Sequence, residues 1–270
     1  MWQHMEISGN IASPCHKIQH PCLPEGKYLH FMCDIPHIVK LVRNLLLKHR
    51  YCQAGDYSID FSHYQLRFET ERKNHLNRSS INCAHVQPTN LQRMNVRRLA
   101  VQLFSRSTAI GLQVYRAEAF TRRMNDLFDA LNRKHPAEGI QSERSELLFV
   151  VIYTFASQGI DSVIIDFFGQ VIKDFLHLLD ETEHNHQHQN LLLFASQQTT
   201  ESLRVTLLSA LDLIEELHKA GVPYLLTAKL NQDPLERFFG IVRSFHGDDD
   251  DIPRSYSSAR FIGFCPCSLL

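Results

Sequence analysis

From Asn90 to Ala220 apolar residues return every three or four positions in run after run, which commits most of the chain to helix. The spacing puts Val96, Leu99, Leu103 and Ile110 on one face of "MNVRRLAVQLFSRSTAIGLQVY". It puts Phe120, Met124, Leu127, Phe128 and Leu131 on one face of "AFTRRMNDLFDALNRK". "SELLFVVIYTFASQG" and "DSVIIDFFGQVIKDFLHLLDE" predict two more helices parted at Gly159, and "HNHQHQN" reads as a polar connector. "TTESLRVTLLSALDLIEELHKAG" carries Leu203, Leu207, Leu211, Ile214 and Leu217 on one side, with Gly221 and Pro223 as its stop.

The flanks read differently. "KYLHFMCD" has the aromatic and apolar content of a strand that ends at an acid. "IPHIVKLVRNLLLKH" then predicts a helix, with Pro36 in its first turn and Ile38, Val42, Leu45 and Leu46 at helical spacing. "YSIDFSHYQLRFE" fits a short strand or a short helix equally well. Further on, "PYLLTAK" predicts a short strand, and "DPLERFFGIVR" a helix with Asp233 as cap, Pro234 at its first position and Glu236 three residues after the cap. Strand–helix elements at both ends of a helical middle imply a mixed α/β fold, predominantly helical, in which an α/β domain is interrupted by an all-α insertion.

Composition excludes a few classes. With 44% hydrophobic and 21% charged residues the chain is globular rather than disordered. Its longest apolar run, "LLFVVIYTFA", is far short of the roughly 20 residues of a membrane span, so no membrane partner is expected. An odd count of seven cysteines, without regular spacing, and a first segment without an export pattern point to a reducing intracellular compartment, the cytoplasm unless another feature directs the chain elsewhere. Charge is unevenly spread: Leu91 to Lys134 holds nine Lys/Arg against three Asp/Glu, and Gln141 to Glu183 two against eight. The first stretch suits a polyanion, although a solvated helix face would look the same.

Three groups of residues carry candidate chemistry. Asp34 stands where a strand hands over to a helix, a position suited to a metal-binding carboxylate and equally to a helix cap. Asp233 and Glu236 share a helix face and could reach one cation, or form a capping box. "FDALNRK" offers Asp129, Asn132 and Lys134: a carboxylate to accept from guanine N–H groups and a lysine for phosphates, or a solvated helix end. His184, His186 and His188, and the set Cys15, His16, His20 and Cys22, match no standard zinc spacing.

Taken in order, these segments resemble the P-element-type transposases that carry a THAP domain. "CDIPHIVKLVRNLLLKH" is similar to the family's Asp-x-Pro-His-x-x-Lys-x-x-Arg-Asn segment, and "VQLFSRSTAIGL" and "TRRMNDLFDALNRK" to its helical insertion. "SLRVTLLSALDLIEEL…YLLTAKLNQDPLERFFGIVR" is the most specific match. The resemblance runs from Ile18 to Pro253. It implies a partial RNase H-like α/β domain in residues 1–75 and 201–253, a GTP-binding helical insertion in 76–200 and a divergent tail in 254–270.

By motif, Asp34 and Glu236 correspond to two of the family's Asp/Asp/Glu catalytic acids. Asp34, Asp233 and Glu236 would hold Mg2+ or Mn2+, and Asp129, Asn132, Lys134 and Asp233 the guanine nucleotide. Lys40, Arg43, Lys48, Arg97 and Arg98 would meet DNA phosphates. The implied activity is DNA transposition by metal-dependent strand cleavage and transfer with GTP as cofactor, in the nucleus. The first catalytic Asp should precede Asp34, where Glu6 and Glu25 are the sole acids, so the set is expected to be incomplete. The alternative expectation is a non-catalytic remnant that binds nucleotide, DNA or a protein partner, either a full-length transposase or a second copy.

Overall fold

The computed structural model describes residues 5–76, 78–89, 97–133, 161–189, 192–220 and 226–231, with backbone alone at 97, 161–168, 187–189 and 218. Strand β1 (Lys17–Gln19) pairs antiparallel with β2 (Tyr28–His30), with Lys17 opposite His30 and Gln19 opposite Tyr28. The strand expected in "KYLHFMCD" is thus short. Beyond His30 and Phe31 the backbone leaves the strand, and the Cys33 N–H donates to Thr206 Oγ1 at 2.9 Å.

Helix α1 (Ile35–His49) buries Ile35, Ile38, Val39, Val42 and Leu46, the stripe its periodicity predicts. Pro36 is harmless in the first turn, where a missing N–H breaks no helical bond. The helix stops at Arg50, which takes a left-handed conformation and returns its N–H to the Leu46 carbonyl at 2.9 Å. An antiparallel hairpin follows, β3 (Tyr51–Ala54) with β4 (Tyr57–Asp60). At its tip Gly55 has φ +54°, and its N–H donates to buried Thr182 Oγ1 at 2.6 Å. A side chain at Gly55 would both strain the backbone and start 2.9 Å from Leu178, so only glycine lets the hairpin dock.

"YSIDFSHYQLRFE", which fitted strand or helix equally, is one and then the other. Asp60 ends β4, and its carboxylate accepts from the Ser62 N–H at 2.8 Å, which starts α2 (Phe61–Lys73). The α2 chain is anchored by Glu71, 3% exposed, which accepts from Arg67 and from the Ser79 N–H and hydroxyl. After α3 (Cys83–Val86) come α4 (Arg97–Leu103) and α5 (Arg106–Gly111). The sequence read these two as one helix. The chain breaks it at Ser105, whose hydroxyl accepts from the Thr108 N–H and so caps a new start.

Helices α6 (Ala117–Leu131), α7 (Asp161–Gln189) and α8 (Gln197–Lys219) follow, and the last element among the described residues is a 3-10 turn, Thr227–Leu230. "HNHQHQN" is not a connector: α7 runs on through Gln189, since no Gly or Pro after Gly169 stops it. The described part of "PYLLTAK" is the 3-10 turn rather than a strand, because it spends its hydrogen bonds on α6 instead of a sheet.

One core joins α1, the β3–β4 hairpin, α2, α3, α4, α6, α7 and α8. Leu46 of α1, Ile59 of β4, Tyr64 of α2, Leu103 of α4, Met124 of α6, Phe175 of α7 and Leu207 of α8 are all at most 1% exposed within it. Phe120 meets Phe104 edge-on at 6.0 Å and Phe194 at 5.3 Å, contacts worth about 0.5–1.5 kcal/mol each beyond burial. A satellite cluster of Ile7, Phe31 and Val205 holds the N-terminal segment against α8. Buried Arg204 fixes it there, donating to the Gly9 carbonyl at 2.6 Å and pairing with Asp180 and Glu183. Among the described residues no helix is long and apolar enough to cross a membrane.

Candidate functional site: the C-terminal end of α6

Helix α6 places Asp126 and Asp129 in its last turns, with no basic residue there to offset them. The partial negative charge of a helix C-terminus disfavours carboxylates at that point, so local stability does not explain them. Asn125, one turn earlier, organises the end of the helix. Its Oδ1 accepts from the Arg106 N–H at 3.0 Å, which commits its Nδ2 to donate to Asp129 Oδ2 at 2.8 Å. Burial by the surrounding protein pushes the Asp129 carboxyl up to about 6; Asn125 and Arg106 oppose that push and Asp126 adds to it. The carboxylate nevertheless keeps an exposed face towards solvent.

Asn132 follows directly as the helix C-cap, half-buried. Its Oδ1 accepts from Asn231 Nδ2 at 2.9 Å. The 3-10 turn supplies the rest of the closure. Thr227 Oγ1 donates to the Ala130 carbonyl at 2.8 Å and accepts from the Arg133 N–H at 2.9 Å, and the Ala228 N–H donates to the Arg133 carbonyl at 3.0 Å. These bonds satisfy backbone groups that a helix end leaves open.

Asp34 lies on a separate element, at the start of α1. It occupies the N-cap position of α1, but its side chain makes no capping bond; only its carbonyl does, to the Ile38 N–H. The capping account therefore lacks its hydrogen bond, and Asp34 is 8% exposed. Its neighbours Cys33 and Ile35 line a narrow cleft together with Leu131, Thr206, Thr227 and Asn231. Three elements thus line this cleft, the segment before α1, the end of α6 at Leu131 and the turn up to Asn231, while Asp34, Asp129 and Asn132 are not among its lining residues. Burial drives the Cys33 thiol up to about 11, against bonds from Ser202 and Thr206, so it stays protonated and is no thiolate ligand.

Lys134, Asp233 and Glu236 lie outside the described residues. Of the basic candidates, Lys48 and Arg98 are exposed and Lys40 is half-buried, while the Arg97 side chain is not described. Arg43 needs correction. At 1% exposure it sits in the buried stripe of α1 beside Val39, Val42 and Leu46, out of reach of a DNA phosphate. The sequence reading also missed Asn125, Thr227 and Asn231. Asn125 had a signal, its spacing of four residues before Asp129 on a helix. Thr227 and Asn231 had none, since their partners are almost a hundred residues away.

The fold and this helix end are those of a mostly helical domain that presents carboxylate and amide groups at its surface. Residues 36–143 match the model of the TNP-like, GTP-binding insertion domain. The match overlaps the insertion expected at 76–200 and reaches back to the first turn of α1. Among solved structures, the chain is similar to that of the Drosophila P element transposase strand transfer complex, with TM-score 0.66 and 22% identity. That likeness covers 91% of this chain and 52% of the other, so the chain spans about half the length of the transposase it matches. No curated protein matches the chain. Residues 36–143 are thus similar to a GTP-binding insertion domain, and the likeness to P-element-type transposases read from the motifs is borne out.

Proposed function

We propose that the chain is a transposase-derived protein whose insertion domain binds GTP at the C-terminal end of α6. The observation that carries this reading is the Asn125–Asp129 bond. It fixes one oxygen of a carboxylate held where the helix disfavours it and leaves the group an exposed face. Guanine presents an N1–H and a 2-amino group side by side, a pair of donors that a carboxylate accepts; adenine presents no such pair. Lys134, three residues after the end of α6, would approach the phosphates, and Asp233 would close the site from the segment after Asn231.

The flanking parts, residues 1–75 and 201–253, are proposed as portions of an RNase H-like domain that cuts and joins DNA. Support comes from Asp34, whose buried carboxylate does not cap its own helix. Among the described residues no group of three or more His, Cys, Asp and Glu could hold a metal. Asp34 is therefore proposed as one ligand, with Asp233 and Glu236 as its partners and Mg2+ or Mn2+ as the ion. Exposed Lys48 and Arg98, half-buried Lys40, and Arg97 are proposed to contact DNA phosphates, and the nucleus is proposed as the compartment.

The test is equilibrium titration of the full chain with a fluorescent guanine nucleotide, displaced by GTP or by ATP. Displacement by GTP alone, lost in Asp129→Asn, is expected. Equal displacement by both nucleotides, or unchanged affinity in Asp129→Asn, would refute the assignment. Incubation of the same protein with duplex DNA and Mn2+ then separates strand cleavage from binding alone.

A further inference from the structure

We infer that Asn231 is a specificity-determining positioning residue, which orients the Asn132 amide so that the site accepts guanine and refuses adenine. The inference rests on the nucleotide reading above. The hydrogen bond from Asn231 Nδ2 to Asn132 Oδ1, 2.9 Å long, occupies the acceptor of the Asn132 amide. What Asn132 then offers a ligand is its donor, the Nδ2 group. Guanine carries acceptors at O6 and N7, next to the donors that suit Asp129. Adenine carries an amino donor where guanine has O6, and an acceptor at N1. With Asn132 fixed as donor to O6 and Asp129 as acceptor, both contacts fit guanine and both clash with adenine, whereas N7 is an acceptor in either purine and does not discriminate. An amide free to rotate would lose half of that discrimination, because it could turn its oxygen to the adenine amino group.

The segment that carries Asn231 is also held by other bonds. Thr227 contributes two bonds to the end of α6 and the Ala228 N–H a third, all independent of the Asn231 side chain. Asn231 is nevertheless 4% exposed and aimed at the one side chain of the helix cap that could read a base. Melts of the variants without nucleotide separate its effect on folding from its effect on nucleotide choice.

The experiment compares GTP and ATP affinities of the full chain with those of Asn231→Asp and Asn231→Ala, beside melts without nucleotide. A carboxylate at position 231 accepts from Asn132 Nδ2 and so turns Oδ1 to the ligand. Asn231→Asp should then lower the GTP-over-ATP preference by about tenfold or more, roughly one hydrogen bond exchanged against water. Asn231→Ala should weaken the preference less. A wild-type preference preserved in a folded Asn231→Asp protein would overturn the inference while leaving the nucleotide reading intact. If Asn231→Asp does not fold, Asn231→Ala decides: a weakened preference supports the inference and an unchanged one overturns it. A wild-type chain that binds neither nucleotide would overturn both.

Discussion

The Asn125 amide donates to the Asp129 carboxylate at 2.8 Å, one helical turn away, while its oxygen accepts from the Arg106 N–H at 3.0 Å. Arg106 opens α5, so the orientation of Asp129 is set by the packing of two helices rather than by α6 alone. Ser105 breaks the helical run immediately before Arg106, and that break is what brings the Arg106 N–H to Asn125.

The Asp129 carboxyl, raised to about 6, predicts a pH dependence with a definite sign. Because its folded-state value lies above 3.8, the folded chain binds a proton more readily than the unfolded one. This group therefore favours the folded state at low pH, and that contribution is lost as pH rises through about 6. Guanine requires the ionised form. GTP affinity should be constant above about pH 7 and fall about tenfold per unit below pH 6, with a proton released on binding in that range. Calorimetric titration in buffers of different ionisation enthalpy measures both, and a flat profile in Asp129→Asn, at affinity lowered about 10–100-fold, completes the expectation.

Much of the helical build was legible because apolar periodicity is a local signal. The buried stripes of α1 and α6 are the ones their spacing predicts. What failed were the ends and joints. Ser105 reads as an ordinary helix residue until Thr108 N–H is seen to use its hydroxyl. The histidine-rich run looked like a loop because it is polar, yet polarity marks an exposed face and does not stop a helix. At the site, Asp129 and Asn132 stood out by residue type. Thr227 and Asn231 could not, because their roles come from a contact that only the folded chain makes. Arg43 misled for the converse reason: charge alone does not reveal burial.

Thr227→Val keeps the shape of the side chain and removes its hydroxyl. The Ala130 carbonyl and the Arg133 N–H, both in a buried setting, then lose their partner. The expected loss is about 1–3 kcal/mol in urea unfolding. If stability is unchanged, the turn does not clasp α6.

Glu71→Ala should be more damaging than any exposed acid-to-alanine change. It strands Ser79 and Arg67, which the buried carboxylate serves together. We expect a cost of about 3 kcal/mol, against about 1 kcal/mol for Asp60→Ala, which removes one helix cap bond. Chemical denaturation of the two variants side by side tests the order; the reverse order would contradict the packing described for α2.

For DNA, exposure sets the expectation. Lys48→Ala and Arg98→Ala should each lower the slope of log affinity against log salt by about 0.9, as one phosphate contact requires. Arg43→Ala should leave that slope alone and instead lower stability by about 2 kcal/mol or more, because its side chain is packed in the core. A lowered slope in Arg43→Ala with stability intact would place that guanidinium on the DNA surface after all.

The central claim, that the insertion domain binds guanine nucleotide, is tested most directly by a thermal melt of the full chain with GTP and magnesium, with ATP as control. At a concentration about 100 times the dissociation constant, GTP should add roughly 2.7 kcal/mol and raise the melting temperature by several degrees, while ATP leaves it in place. A cooperative melt that neither nucleotide moves, or that both move equally, would contradict the account.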